Sequence, residues 1–331
     1  MKSLLILLVV LLLGMLACTQ QPPAETKKEV ASVGKIVRLD PALDALVPAT
    51  AVIEKLADGF AFTEGPLWTR EGFLLFSDIP NNRIMKWTPD GQVTEFRKPS
   101  GLDATEWPEG AFVGSNGLIL DKDGNLVICE HGNGRVTRLE KDGKLTVLAA
   151  KYQGKRLNSP NDAVYKSDGS LYFTDPPYGF VKQDEDPKKE LKFNGIYRLK
   201  DGALTLLNKD QTRPNGIGFS PDEKYLYVAN SDPKQKVWYR YEVKPDGTLT
   251  NGKVFADVTA ETAEGLPDGL KLDAKGNLYC TGPGGVWIFS PEGKHLGSIQ
   301  PPETPANVGW GDADGKTLYI TARKGLYRVR L

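Results

Sequence analysis

The sequence predicts an all-β protein built from six similar units, and three observations carry this prediction. The 331 residues include 35 glycines and 23 prolines, a composition typical of many short strands joined by turns. Short apolar runs alternate with Asp-Gly and related turn dipeptides, which is the pattern of successive β-hairpins. One stretch of sequence recurs six times, in the same phase, from residue 64 to the C-terminus.

Each copy of this repeat begins with an acidic or amide residue, which we call the anchor. An apolar run follows, then a turn residue seven positions after the anchor, then a second apolar run. A third run and usually a fourth come next, so that one copy holds four strands in a period of 39 to 54 residues. That is the size of a propeller blade, and the sequence therefore predicts a six-bladed β-propeller with four antiparallel strands per blade. The anchors are Glu64, Asn116, Asn161, Asn215, Asp268 and Asn307.

The two ends of the repeat region predict how the ring closes. The sixth copy stops at Leu331 after its third strand, so its outermost strand is missing from the C-terminus. The run at 51–62 precedes the first anchor and has no partner there. We expect this N-terminal strand to complete the last blade and to leave no open edge.

The N-terminus has the features of an export signal. Residues 1–18 contain one lysine and an apolar run that ends in Leu16-Ala17-Cys18, which resembles a bacterial lipoprotein signal with Cys18 as the lipidated residue. The alternatives are an ordinary signal peptide and an N-terminal anchor helix. Residues 19–44 are polar and contain proline, so we expect a flexible tether before a propeller hydrolase domain at 45–331. The protein would be exported, either periplasmic or attached to the bacterial envelope, and would meet a membrane only through its lipid anchor.

The charge balance and the motifs that the chain lacks argue against several classes of function, and the cysteine positions predict free thiols. Basic and acidic residues balance at 42 each, which argues against a nucleic-acid partner. The chain has no P-loop, dinucleotide fingerprint or nucleophile elbow. Cys129 and Cys280 fall in separate blades, so we expect buried free thiols rather than a disulfide.

The anchors are the candidate functional residues. The first strand of each blade lines the channel of a propeller, so the anchors would meet at one end as a ring of two carboxylates and four amides. Such oxygens suit a divalent cation, Ca²⁺ above all, with Mg²⁺, Mn²⁺ or Zn²⁺ as alternatives. The chain lacks the His or Cys cluster that zinc prefers. The competing interpretation is that Asn before Gly merely begins a turn.

His131 is predicted on the anchor side of the ring, in the loop "CEHGNG". There it would orient substrate or shuttle a proton, or simply bond to the backbone. Asp162, next to the anchor Asn161, would fix the start of its strand or support the ligands from behind.

The extension at 180–193 rises from the same side, as a lid over the substrate or as a solvated charged loop. Arg213 and Arg323 also face the mouth, either to bind substrate or in surface salt bridges.

Several long motifs resemble the gluconolactonase family, which includes regucalcin, the senescence marker protein. They include "FTEGPLW", "SPNDAVYKSDG", "RPNGIGFSPDE" and "DGLKLDAKGNLY", and the resemblance spans about residues 45–331. It implies a six-bladed propeller with a divalent cation in the channel and hydrolysis of a lactone or related ester. Carried over by motif, the metal ligands would be Glu64, Asn161, Asn215 and Asp268. Asn116 would bind substrate, and Asp268 would be the catalytic base or nucleophile.

The resemblance leaves the substrate and part of the mechanism open. In the regucalcin branch an arginine stands two residues before the blade-two anchor, whereas this chain has Gly114. A cation lowers the pKa of a bound carboxylate, so a water on the cation is the alternative to Asp268 as the base. We expect a small-molecule sugar lactone as substrate. The alternatives are another ester or a phosphotriester on the same scaffold, and a non-enzymatic ligand-binding propeller with structural calcium.

Overall fold

The structure of the protein is a computed structural model that describes residues 32–331, and these residues form a ring of six antiparallel sheets. The arrangement confirms the predicted six-bladed β-propeller. Cys18, the rest of the expected signal and residues 19–31 of the expected tether lie outside the described residues. Within residues 32–331, no helix is long and apolar enough to cross a membrane.

Each blade consists mainly of one sequence repeat. From the innermost to the outermost strand, the blades are Thr63–Trp68, Leu74–Asp78, Arg83–Trp87 and Val93–Arg97 (blade 1); Ser115–Leu120, Leu126–Glu130, Arg135–Leu139 and Leu145–Ala149 (blade 2); Ala163–Tyr165, Leu171–Asp175, Gly195–Lys200 and Ala203–Asn208 (blade 3); Pro214–Phe219, Tyr225–Asp232, Gln235–Val243 and Leu249–Asp257 (blade 4); Leu270–Leu272, Leu278–Gly282, Gly285–Phe289, His295–Gln300 and Lys35–Arg38 (blade 5); and Pro305–Gly311, Thr317–Ala322, Gly325–Arg330 and Ile53–Ala57 (blade 6). A small hairpin, Lys151–Tyr152 with Lys155–Arg156, follows blade 2, and two 3-10 turns lie at Pro41–Ala45 and Gln183–Glu185.

The ring closes as predicted. Ile53–Ala57 is the outermost strand of blade 6 and pairs with the C-terminal strand Gly325–Arg330 in an antiparallel register that places Ile53 opposite Val329. One sheet therefore joins the two ends of the propeller.

The predicted tether, residues 19–44, ends too late in the sequence, because residues 35–38 already form a strand of the propeller. Lys35–Arg38 pairs with His295–Gln300 as a fifth strand of blade 5. The Asp40 carboxylate then accepts the N–H of Ala42 and caps the turn at Pro41–Ala45, which buries Leu43 in the core between blades 5 and 6. A strand of four residues without a partner close in sequence gives too little periodicity to be recognised, so the propeller begins earlier than residue 45.

The core lies between the blades. All five residues of the second strand are buried in blades 1, 2, 3 and 5, because these strands are covered by neighbouring blades on both faces. Outermost strands such as Val93–Arg97 face solvent instead. Cys129 and Cys280 are buried free thiols in blades 2 and 5, as predicted.

The glycine after an anchor lets neighbouring blades approach at the channel. A Cβ atom added to Gly65 would clash with the backbone oxygen of Asn116, and one on Gly216 would clash with that of Asp268. A hydroxyl of the second strand of blade 1 reinforces this contact between blades, because Ser77 Oγ donates to the backbone oxygen of Asn116 at 2.7 Å. Anchor-glycine pairs are therefore points of close strand approach. The turn interpretation is wrong for Glu64, Asn116 and Asn215, which lie within innermost strands.

Candidate active site

Five of the six anchors meet in one cavity of 240 Å³ at one end of the channel. The structure therefore brings together all of the predicted ligand and substrate residues, including His131. The lining residues are Phe62, Glu64, Ile79, Phe112, Asn116, His131, Asn161, Tyr178, Gln183, Asn215, Ser231, Leu266 and Asp268.

Glu64 is held at the cavity wall by two hydrogen bonds. The N–H of Gly65 donates to its Oε2 at 2.7 Å, and Asn307 Nδ2 donates to the same oxygen at 2.8 Å. Asn307 Oδ1 accepts the N–H of Val308. Asn307, the sixth anchor, belongs to the predicted ring but not to the predicted ligand set, and it turns aside and orients Glu64.

The two carboxylates of the cavity carry raised pKa values. Burial raises the pKa of Glu64 to about 7, against the lowering effect of its two hydrogen bonds. Burial also holds the pKa of Asp268 well above its usual range, and the negative charges of Glu64 and Asp162 raise it further. Asp268 Oδ1 is buried and accepts no hydrogen bond from the described chain. The site therefore contains more negative charge than its protein neighbours compensate.

Asn116 is oriented by His131. The Asn116 Nδ2 and His131 Nε2 atoms lie 3.2 Å apart, while Asn116 Oδ1 is buried with no partner in the part of the chain described. Burial lowers the pKa of His131 to about 4, so the imidazole is neutral at pH 7 and accepts from the amide. This arrangement favours an orienting role for His131 over a proton shuttle.

Asp162 follows the anchor Asn161, and its contacts agree with the first of the two roles considered for it. Its Oδ1 accepts the N–H of Ala163 at 2.9 Å, which fixes the start of the strand. Its Oδ2 lies 3.6 Å from Lys271 Nζ. Asp162 adds negative charge beneath Glu64, and Lys271 offsets part of it.

The chain is similar to a known protein family over most of its length. Residues 62–324 match the family model described as the SMP-30/gluconolactonase/LRE-like region. This chain belongs to the SMP-30/gluconolactonase/LRE-like family. A gluconolactonase of Zymomonas mobilis is 39% identical over 318 residues, which cover 93% of this chain and 89% of that protein. The structure of a gluconolactonase from Xanthomonas campestris matches with a TM-score of 0.78 and 34% identity over 91% of this chain and 96% of that chain. Diisopropyl-fluorophosphatase of Loligo vulgaris is 26% identical over 81% of this chain and 87% of its own length.

The cavity also has lining residues other than the anchors. Phe62, Phe112 and Leu266 form an apolar border around the anchors. Tyr178 also lines the cavity, and burial together with the charge of Asp268 raises the pKa of its hydroxyl. Sequence reasoning missed Tyr178, although the loop "TDPPYG" was expected to return to the anchor side, and that position was the available signal.

Side-chain contacts hold the loop at 180–193, although most of its residues are exposed, and Gln183 of this loop lines the cavity. Asp184 pairs with Arg213 and accepts a hydrogen bond from Asn194 Nδ2 at 3.1 Å. The ammonium of Lys189 is buried and donates to the oxygen of Leu191 at 2.6 Å. These contacts favour the lid interpretation.

Arg213 and Arg323 are engaged in ion pairs rather than directed at the anchors. Arg213 pairs with Asp184, and Arg323 pairs with Glu264. Both observations agree with the salt-bridge alternative.

The metal-binding capacity of the site rests on oxygen donors. Within residues 32–331, no group of three or more His, Cys, Asp or Glu side chains is arranged to hold a metal ion. The cavity instead combines two carboxylates with amides, and hard cations prefer such oxygen donors.

Proposed function

We propose that this protein hydrolyses sugar lactones with a divalent cation held among the anchors. The observation that carries the proposal is the meeting of Glu64, Asp268 and three amides in one buried cavity. It occurs in a chain that is 39% identical to a gluconolactonase.

The residues present fit a divalent cation. Asp268 Oδ1 is a buried oxygen without a hydrogen-bond partner in residues 32–331, and a second carboxylate, that of Glu64, shares the cavity. A 2+ ion would balance the two negative charges, and Ca²⁺ is the best match to mixed carboxylate and amide oxygens. Glu64, Asn161, Asn215 and Asp268 would hold the ion. When bound, it would polarise the lactone carbonyl and favour the negative charge that develops on its oxygen.

The chain's own residues would perform the remaining tasks. Asn116, oriented by His131, would position the lactone, and the apolar rim of Phe62 and Phe112 would limit access of bulk water. Asp268 is our candidate to accept the proton as water adds to the carbonyl carbon. The ring C–O bond then breaks and its oxygen takes up a proton, which gives the open hydroxy acid.

A pH-stat assay of D-glucono-1,5-lactone tests this proposal. The purified protein would be assayed with Ca²⁺, after chelation, and as the Asp268→Asn variant, with the spontaneous rate subtracted at each pH. Asp123→Asn is the matched control, because Asp123 is an exposed residue of a hairpin turn outside the cavity. We expect turnover with Ca²⁺ in the wild type and the control, and its loss after chelation and in Asp268→Asn. Background rates in every sample would contradict the proposal.

A second candidate is hydrolysis of another ester or a phosphotriester at the same site. The similarity to diisopropyl-fluorophosphatase favours it. Aryl ester and fluorophosphate substrates in the same assay separate the two, because a preference for them over the aldonolactone would support this candidate. If calcium binds and none of these substrates is turned over, the protein is a ligand-binding propeller.

We also propose export and lipid attachment at Cys18, on the sequence pattern alone. In a bacterial host supplied with radiolabelled palmitate, the wild type should incorporate the label and Cys18→Ser should not. An unlabelled wild type would contradict lipid attachment.

A further inference from the structure

A second cavity opens beside the channel mouth. This side groove has a volume of 550 Å³ and is lined by Ala61, Phe62, Pro80, Asn81, Lys98, Trp107, Glu109, Gly110, Phe112 and Arg323. Phe62 and Phe112 line both cavities, and their rings meet edge to face with centroids 5.0 Å apart. The two cavities therefore share a wall, and the part of a substrate that protrudes from the anchor cavity over these rings would lie in the groove.

The outer wall of the groove is a well-anchored segment. It belongs to the connection between blades 1 and 2, residues 98–114, which contains no helix or strand. The buried Asn82 Oδ1 accepts the N–H groups of Ser100, Gly101 and Leu102 at 3.1, 2.8 and 3.2 Å. Trp107 Nε1 donates to the oxygen of Pro80 at 3.0 Å. The half-buried indole is thus held at the groove before any ligand arrives.

The lining of the groove suits a sugar better than an aryl group or an anion. Trp107 offers an aromatic surface, on which the C–H face of a sugar ring packs. Asn81, Lys98 and Glu109 add both donors and acceptors, which match hydroxyl groups and which an aryl group would leave unused. The charges of Lys98 and Glu109 offset each other and that of Arg323 is paired with Glu264, so the groove has no excess positive charge that would select a phosphate or carboxylate.

We propose that the side groove binds a second sugar residue, so that the preferred substrates are lactones of disaccharide acids. This inference rests on the proposed lactone hydrolysis. The aldonolactone ring occupies the anchor cavity, and the glycosyl residue attached to it lies against Trp107. Water adds across the acyl C–O bond and opens the lactone, while the glycosidic bond is left intact.

The test compares cellobiono-1,5-lactone with D-glucono-1,5-lactone in the calcium-loaded protein. We expect the wild type to have the higher kcat/KM for the disaccharide lactone. In Trp107→Ala, kcat/KM for that substrate should fall about tenfold through KM, with little change for the monosaccharide lactone. Phe96→Ala is the control, because Phe96 is an exposed aromatic residue on the outermost strand of blade 1. Glu109→Ala, at an exposed position, is the second variant if Trp107→Ala fails to fold.

The outcomes separate this inference from the proposed function. A slower wild-type reaction with the disaccharide lactone, or an equal loss on both substrates in Trp107→Ala, would overturn the subsite and leave lactone hydrolysis standing. No turnover of either lactone would overturn both.

Discussion

The buried acid at the end of the second strand of blade 3 is predicted to destabilise the protein at neutral pH. Blades 1 and 2 have an acid at the same position, each opposite an arginine in the sheet register. These pairs are Asp78 with Arg83 and Glu130 with Arg135. In blade 3 the residue opposite Asp175 is Gly195. The Asp175 Oδ2 atom accepts the N–H of Asn158 at 2.8 Å, whereas its Oδ1 is buried without a partner in the described chain.

The size of the effect follows from the pKa of Asp175. Burial raises this pKa from 3.8 to about 7. The unfolded chain loses the proton near pH 4 and the folded chain near pH 7, so the folded state binds more protons between these values. Stability therefore falls as the pH rises through this window and is constant above it. About three pKa units correspond to about 4 kcal/mol as an upper bound. We expect Asp175→Asn to recover about 2 kcal/mol at pH 8, since the new amide also needs a partner.

Urea denaturation at pH 8 and pH 4.5 measures this effect, with Asp78→Asn as the matched control. Asp175→Asn should raise the free energy of unfolding at pH 8 and lower it by about 1 kcal/mol at pH 4.5, where little of the charge penalty remains to be relieved and the amide still needs a partner. Asp78→Asn should lower it by about 3 kcal/mol at pH 8, because it leaves the partly buried Arg83 without its charged partner. If Asp175→Asn were as destabilising as Asp78→Asn at pH 8, the reasoning would be refuted, and Asp175 would be an ion-paired carboxylate.

Three further predictions concern the active site. Asn307→Ala should weaken calcium binding about 10- to 100-fold in titration calorimetry, because Glu64 loses the donor that orients it; unchanged affinity would mean that Asn307 is dispensable. His131→Gln should retain lactonase activity because the amide oxygen can accept from Asn116, whereas His131→Leu should lose about tenfold in kcat/KM; equal losses would contradict the orienting role. Gln183 has a φ of +46°, so Gln183→Gly should stabilise the protein by about 1 kcal/mol in thermal unfolding while Gln183→Ala does not, and equal effects would exclude relief of backbone strain.

The sequence predicted those parts of the molecule that repeat. Six copies in one phase determine the blade number, and Ile53–Ala57 could be assigned because the last copy lacks a strand. The meeting of Glu64 and Asp268 in one cavity follows from the same repetition, since equivalent positions of a ring face a common axis. The rotation of Asn307 toward Glu64 could not be foreseen, because it depends on a side-chain contact between the first and last blades. Lys35–Arg38 was missed because blade 5 already has four strands within its own repeat, so nothing in the sequence indicates a fifth.

The site divides into a repeated base and a non-repeated border, and the two parts have separable tasks. The base consists of anchors at the ends of innermost strands, where close strand packing fixes each backbone. Part of the border comes from two insertions, residues 98–114 and 180–193, which supply Phe112 and Gln183, while Phe62 and Leu266 lie just before anchors. Both insertions are held by their own hydrogen bonds and ion pairs, among them those of Asn82 and Asp184. Because neither set of contacts involves an anchor, changes in the insertions should alter substrate preference while calcium affinity stays constant. Anchor substitutions should alter calcium affinity and turnover of every substrate together.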